Sequence, residues 1–305
     1  MTTPILLASN DMDFAQAVKD EFQASYPEIP VCLPDDNGSE RAELAACWCP
    51  PDSLLEDFPN IKVLHALSAG IDHLGKKLLT SGLPVCRIVD PAQKHGMLEY
   101  VLWGILNYQR DFEQYRQHQD KKQWQTYTQR PASETRISLL GLGEIGRYVA
   151  TKLAQFGYTV NGWSKSPKEL INVNCYYGEE GLNTVLNKAD VLVNLLPLNS
   201  HTQGILSQPT FQKMPAKAYL INCGRGKHLI CNDLIHAIQQ GHLKGALLDV
   251  FDQEPLPAND LLWETQGITI TPHIASCSSM KTIVDQVVHN LTLFEKGEAL
   301  SNVVT

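Results

Sequence analysis

Short apolar runs alternate with helical stretches over the first hundred residues. Ile5 to Ala8, Ile61 to Ala66 and Val85 to Val89 have the length and content of buried strands, while Asp11 to Ala24 carries a helical pattern. This βα rhythm predicts one α/β domain. An amphipathic helical pattern follows from Met97 to Arg116, then a polar segment through Lys121, Lys122 and Gln123 to Pro131, which reads as a hinge and surface connection. A second βα series opens at Ile137 to Leu140. It continues with strand candidates at Tyr158 to Trp163, Val191 to Leu195, Tyr219 to Asn222, Ala246 to Val250 and Ile268 to Thr271, and so predicts a second parallel sheet. Near the C-terminus Met280, Ile283, Val284, Val287, Leu291 and Phe294 share one helix face, a stripe that reads as core packing.

Composition narrows the class. A chain of 305 residues exceeds the usual single-domain size, and 43% hydrophobic with 19% charged residues is ordinary for a packed globular protein. A net charge of -8, with Lys and Arg scattered, argues against nucleic acid and anionic membranes as partners. An anionic substrate then needs a local cation, and Arg225 can supply it. The eight cysteines lie mostly in apolar strand-like runs (Cys47, Cys49, Cys86, Cys223), where they read as small hydrophobes. Cys47-Trp48-Cys49 lacks the spacing of a zinc site, so no metal is expected. Reduced thiols point to the cytoplasm. The start MTTPILLASN has no basic region, and no eighteen apolar residues run together, so neither a signal peptide nor a membrane span is expected.

Gly141-Leu142-Gly143-Glu144-Ile145-Gly146 follows the run Ile137 to Leu140 and leads into a helical pattern with Ile145, Val149, Leu153 and Phe156 on its buried face. A bare GxGxxG is weak, but strand, glycine loop and helix in register suit a dinucleotide. That ligand needs a tight turn, close backbone approach, and a helix N-terminus for its pyrophosphate. Enzymes preferring NAD carry an acidic residue where the second strand ends. Here the strand ends Trp163-Ser164-Lys165-Ser166 with no carboxylate. Ser164 can hydrogen-bond a 2′-phosphate and Lys165 can pair with it, which predicts NADP as the preferred cofactor with NAD still possible. The competing reading of Lys165 is an ordinary surface lysine on a solvated turn.

Three polar residues sit just after later strands: Arg225 in INCGRG, Glu254 in DVFDQEPLP and His273 in TITPHIA. Strand C-terminal ends line the ligand crevice of a doubly wound sheet, so residues distant in sequence converge there. Reduction of a 2-keto acid needs a cation for the carboxylate, a hydride for the carbonyl carbon and a proton for its oxygen. The planar guanidinium of Arg225 can grip carboxylate and carbonyl together, with Gly224 and Gly226 allowing close approach. His273 is the candidate acid, and Glu254 can hold it protonated and oriented. Asp249 ends another strand and reads either as a nicotinamide contact or as a turn anchor. His65, His95, His201, His228 and His242 have no comparable setting and read as packing or surface histidines.

With these residues in view, the chain resembles the D-isomer-specific 2-hydroxyacid dehydrogenase family, and within it the branch acting on glyoxylate and hydroxypyruvate. The matching stretches are LSAGIDHL (Leu67 to Leu74), MLEYVL (Met97 to Leu102), NLLPLNSHTQGIL (Asn194 to Leu206), INCGRG, GALLDVFDQEPLP and ITPHIA. The resemblance implies two doubly wound parallel-sheet α/β domains: a Rossmann dinucleotide-binding domain, 97–274, inserted in a flavodoxin-like substrate-binding domain, 1–96 plus 275–305. It makes Arg225 the substrate-binding arginine and Glu254 with His273 the acid–base pair. It places Ala69 and Gly70 at the substrate carboxylate and Trp48 on the substrate side. Leu196, Pro197, Cys223, Gly224 and Asp249 fall around the cofactor, alongside Arg225 and His273. It also implies a homodimer formed through the cofactor domain.

Departures around the pocket, Cys47 before Trp48 and Ser276, Cys277 and Ser278 after His273, bear on substrate preference rather than chemistry. The alternatives are a dehydrogenase for a bulkier 2-keto acid or phosphoglycerate, against which Trp48 argues, and a nucleotide-sensing corepressor-like binding protein. A formate dehydrogenase has glutamine in the place of Glu254.

Overall fold

In the computed structural model, which describes residues 3–304, the chain opens with β1 (Ile5–Ser9), α1 (Met12–Ser25), β2 (Val31–Cys32), β3 (Leu44–Trp48), α2 (Leu54–Asp57), β4 (Val63–Ala66), α3 (Gly75–Leu79) and β5 (Val85–Cys86). It continues through α4 (Pro91–Gln109), α5 (Phe112–Asp120), β6 (Arg136–Leu140), α6 (Glu144–Gln155), β7 (Thr159–Ser164), β8 (Asn174–Tyr177), α7 (Gly178–Asn187) and β9 (Val191–Asn194). Next come α8 (Gln208–Lys213), β10 (Ala218–Asn222), α9 (Cys231–Gln239), β11 (Leu243–Leu248), β12 (Ile268–Ile270) and α10 (Met280–Lys296). Two compact units result: Met1–Pro91 with Ser278–Thr305, and Ala92–Cys277.

The first unit is a five-stranded parallel sheet in the order β2-β1-β3-β4-β5, the flavodoxin-like winding. Alternate residues of each strand serve opposite faces. Ile5 and Leu7 pack with Val18 and Phe22 of α1 and with Ile283, Val284, Val287 and Leu291 of α10, whereas Leu6 and Ala8 face Leu54, Leu74 and Leu78. The apolar stripe of α10 is therefore core, as its spacing predicts. Asp11 caps α1 by accepting from the Phe14 amide, and Ser279 caps α10 by accepting from Thr282.

The second unit is a seven-stranded parallel sheet ordered β12-β11-β10-β9-β6-β7-β8. Its strand order reverses between β6 and β9, the switch point at which doubly wound sheets bind ligands. The same two-faced logic holds: Ile137, Leu139, Val191, Val193 and Ile221 face one core, and Leu140, Leu192 and Leu220 the other. Arg136 and Asp190 tie β6 to β9 at the opposite end through a two-pronged ion pair of 2.7 and 3.1 Å. Burial pushes the Asp190 carboxyl up, yet the Arg136 guanidinium and amide outweigh it and hold it below its usual range.

Several expectations are corrected. The helix predicted over Met97 to Arg116 is two helices, starting at Pro91, whose fixed φ suits a first turn. They break at Asp111, which takes a left-handed φ of 57° and pairs with Lys244. The polar stretch to Pro131 is no hinge between units. It lies inside Ala92–Cys277 and is tied back by Gln109 to the Arg130 carbonyl (2.7 Å) and by the Tyr127 amide to the Tyr115 hydroxyl (3.0 Å). The chain passes between units at Pro91/Ala92 and Cys277/Ser278. Edge strands β2 and β8 escaped the strand assignment because they are short or polar and so lack the apolar run of a central strand, and central β3 was marked only as a strand-like run around Cys47.

Candidate active site

The glycine loop closes β6 onto α6. Gly141 has φ +104°, and a Cβ there would lie 2.8 Å from the Leu195 carbonyl oxygen, so the loop and the end of β9 touch through glycine. A Cβ on Gly146 would lie 1.9 Å from the Gly141 carbonyl oxygen, which brings the helix down on the loop. Gly143 is different: nothing lies within 4 Å of its Cβ position, and it starts α6 with no side-chain cap. Open space before uncapped helix amides is what a pyrophosphate requires. Glu144 is held ionised by hydrogen bonds from Arg147 and then Lys94, so its charge is neutralised beside that anion cradle. Ile145 packs against the core below.

Beyond β7, the strand-end residues divide. Ser164 is buried and its hydroxyl donates 2.8 Å to the Ser166 carbonyl, so that proton is engaged within the turn. Lys165 is exposed.

The ends of β10, β11 and β12 carry the chemistry. His273 Nδ1 lies 2.8 Å from Glu254 Oε2, while Glu254 Oε1 accepts from the Phe251 amide at 2.8 Å. The hydrogen bond to Glu254 raises the His273 pKa above its ordinary value; burial and the nearby Arg225 charge oppose that shift but do not cancel it. For Glu254, burial pushes the pKa up, and the bonds from His273 and Phe251 bring it below the usual carboxylate range. Both shifts favour the imidazolium–carboxylate form of the pair. His273 adopts φ 55°, held by its amide donating to the Asp249 and Thr271 carbonyls at 2.9 and 3.1 Å.

Asp249 is buried, and its carboxylate accepts from Thr271 Oγ1 (2.7 Å), the Ile274 amide (2.8 Å) and the Ala275 amide (2.9 Å). Its observed work is to anchor the turn that carries His273. Arg225 donates from Nη1 to the Gly224 carbonyl at 2.8 Å. Gly226 lets the turn after β10 lie against the segment after β11, since a Cβ there would sit 1.8 Å from the Phe251 carbonyl carbon. Cys223 is buried, and burial drives its thiol pKa well up, so it is an inert floor rather than a nucleophile. Leu196 is buried and Pro197 exposed at the end of β9, beside the glycine loop.

These strand ends, assembled around the switch point, match a known lineage. The family model for the D-isomer specific 2-hydroxyacid dehydrogenase NAD binding domain matches residues 102–275. The chain belongs to the D-isomer specific 2-hydroxyacid dehydrogenase family. It is 38% identical over 267 residues to glyoxylate/hydroxypyruvate reductase A of Yersinia enterocolitica, covering 85% of each chain. A family member from Klebsiella pneumoniae 342 superposes with a TM-score of 0.96 at 44% identity, covering 100% of this chain and 98% of that one. The NADPH-dependent glyoxylate/hydroxypyruvate reductase of Sinorhizobium meliloti, solved with NADP and sulfate, gives 0.90 at 29% identity over 99% and 98%.

Within the other unit of this dehydrogenase, Trp48 ends β3 between two rings, Phe14 at 5.4 Å and His73 at 4.7 Å between centroids. His73 also links that strand end to the LSAG loop: Nε2 is 3.3 Å from the Cys47 carbonyl and Nδ1 3.4 Å from Ser68 Oγ. Ser68 Oγ donates to the Gly70 carbonyl at 2.7 Å, and Arg87 Nη1 reaches the Ala69 carbonyl at 3.5 Å. Trp48, Ala69 and Gly70 thus share one cluster.

Sequence reasoning missed the groups that hold these loops. His228, read from sequence as a packing or surface histidine, is fully buried between Arg225 and Pro197, together with Asn194 and Asn222. The available signal was an asparagine closing each of two otherwise apolar strands, VLVN and YLIN.

Among the described residues no helix is long and apolar enough to cross a membrane.

Proposed function

We propose that this dehydrogenase reduces a small 2-keto acid, glyoxylate or hydroxypyruvate, to the 2-hydroxy acid, with NADP preferred over NAD, as a cytoplasmic homodimer. The observation that carries this reading is the 2.8 Å pair of His273 Nδ1 and Glu254 Oε2, on a strand end beside Arg225 in a doubly wound sheet.

Bound at the loop Gly141 to Gly146, the reduced nicotinamide supplies a hydride to the carbonyl carbon. Gly143, Glu144 and Ile145 present backbone amides at the start of α6 to the pyrophosphate. Leu196, Pro197, Cys223, Gly224 and Asp249 complete the cofactor surface, and Ser164 and Lys165 are the groups for the 2′-phosphate. Arg225 grips the substrate carboxylate and carbonyl oxygen, with Ala69, Gly70 and Trp48 in the substrate set. Because Glu254 accepts from Nδ1, His273 offers its Nε2 proton to the carbonyl oxygen as charge builds there. Proton transfer leaves a neutral imidazole still oriented by Glu254, and solvent restores the proton. One keto acid, one hydride and one proton give one hydroxy acid.

The test is steady-state oxidation of NADPH and NADH with glyoxylate, hydroxypyruvate, pyruvate and phenylpyruvate in parallel. Fast NADPH oxidation with glyoxylate or hydroxypyruvate is expected. Preference for phenylpyruvate overturns the small-pocket assignment of Trp48, equal efficiency with both cofactors overturns the role of Lys165, and absence of turnover leaves a nucleotide-sensing protein. Sedimentation analysis decides the dimer.

A further inference from the structure

We infer that His228 is a positioning residue whose two ring nitrogens set separate parts of the site: Nδ1 fixes the arginine that grips substrate, and Nε2 fixes the loop at the cofactor rim. The inference rests on the roles proposed above for Arg225, Leu196 and Pro197.

The ring is fully buried in the turn after β10. Its Nδ1 lies 3.1 Å from the Arg225 backbone nitrogen and 2.9 Å from Asn194 Nδ2. A backbone N–H can only donate, so Nδ1 presents a lone pair whichever way the Asn194 amide is turned. The proton of a neutral ring then sits on Nε2, which faces the Pro197 carbonyl at 3.3 Å. One side chain therefore accepts from the Arg225 amide and donates to the loop that follows β9.

The surroundings hold the ring in that orientation. Asn194, at the end of β9, donates to both Asn222 Oδ1 and His228 Nδ1 at 2.9 Å, and its own Oδ1 accepts from the Leu196 amide at 3.3 Å. The Gly224 amide reaches Asn222 Oδ1 at 3.3 Å. A Cβ on Gly224 would lie 2.6 Å from Asn194 Nδ2 and 2.8 Å from His228 Nδ1, so ring and amide form the floor of the glycine-arginine-glycine turn. The Pro197 carbonyl also accepts from Thr202 Oγ1 at 2.8 Å, so the ring and the threonine hold the same carbonyl.

Two substitutions separate the two nitrogens. In His228→Asn the side-chain oxygen takes the place of Nδ1 and the reach to Pro197 is lost. In His228→Gln the amide nitrogen reaches the place of Nε2 and the acceptor for Arg225 is lost. Measured with the keto acid and NADPH, His228→Gln raises the keto-acid KM by about tenfold while the NADPH dissociation constant stays within about twofold. His228→Asn does the reverse, with a rise of about fivefold in the NADPH constant and a keto-acid KM within about twofold. Loss of thermal stability in both variants with neither constant separating from the other, or the opposite pairing, overturns the inference.

A second measurement needs no variant. Long-range proton–nitrogen correlation on wild-type protein carrying nitrogen-15 histidine, at near-neutral pH, gives the ring tautomer of His228, expected as neutral Nε2–H. An Nδ1–H or doubly protonated ring sinks the proposal even if both variants fail to fold. If wild type reduces no 2-keto acid, the proposed function fails; the tautomer and the NADPH constants still test His228.

Discussion

At His273 the chemistry turns on one proton. The Glu254 hydrogen bond raises the imidazole pKa, so the protonated form that donates to a carbonyl oxygen persists above the ordinary value of about 6.5. Reduction requires that form, so kcat/KM for the keto acid is expected to be level at lower pH and to fall as pH rises through the raised pKa. Oxidation of the hydroxy acid, which needs the neutral ring, is expected to rise over the same range. Glu254→Gln removes the charge that favours imidazolium, so the reductive limb moves toward acid. An unmoved limb in a pH profile of that variant assigns the limb to another group. His273→Ala lowers turnover on the order of a hundred- to ten-thousand-fold and leaves nucleotide affinity nearly unchanged; near-normal turnover removes His273 from the proton-donor role. Both side chains of the pair are more than a third exposed, so solvent screens its contribution to folding and its effect is read in rate. These residues were legible in the sequence because each is a polar group placed directly behind an apolar strand. Asp249 was half legible: its position was clear, but which amides its carboxylate accepts was not. His228 was legible only as a packing or surface histidine, since hydrogen-bond direction across a gap of 31 residues to Pro197 leaves no local pattern.

At the scale of the element, the loop between β6 and α6 makes two glycines do opposite work. Gly143→Ala adds a methyl that meets nothing within 4 Å beyond the adjoining chain, so the unliganded protein is expected to keep its melting temperature. The methyl then occupies ligand space, and the NADPH dissociation constant rises about tenfold, equivalent to ~1.4 kcal/mol. Gly146→Ala sets a methyl 1.9 Å from the Gly141 carbonyl oxygen, so the helix must move and the fold itself loses about 1–3 kcal/mol. Calorimetry with and without nucleotide separates them. A lowered melting temperature in Gly143→Ala, or an unaffected one in Gly146→Ala, contradicts the geometry. The central strands were legible for the same reason they are stable: both faces are covered, so they read as unbroken apolar runs. Edge strand β8, NCYY, is partly exposed and has no such run. Helix α4 begins before its apolar periodicity does, because Pro91 to Gly96 is mostly polar, and the break at Asp111 depends on Lys244, distant in sequence.

For the whole molecule, the question is whether each unit is a domain in the thermodynamic sense. Ala92–Cys277 is one continuous stretch with a complete seven-stranded sheet and apolar side chains packed on both faces, including α4 through Met97, Val101 and Ile105. The remainder is joined in space by α10, whose Ile283, Val284, Val287 and Leu291 share a core with Ile5 and Leu7 at the other end of the chain. Cores closed within each unit mean that removing one does not strip the other of its interior. The segment 92–277 expressed alone is therefore expected to unfold cooperatively and to bind NADPH without reducing a keto acid. Nucleotide at about a hundred times its dissociation constant should stabilise it by ~2.7 kcal/mol. The complement, 1–91 joined to 278–305 through a flexible linker, is expected to fold without responding to nucleotide, because it lacks the glycine loop. If 92–277 shows no cooperative transition, its two cores do not suffice and the units fold only as one. If it folds but ignores NADPH, the loop from Gly141 to Gly146 is not enough of a site by itself, and the cofactor assignment must draw on residues outside that unit.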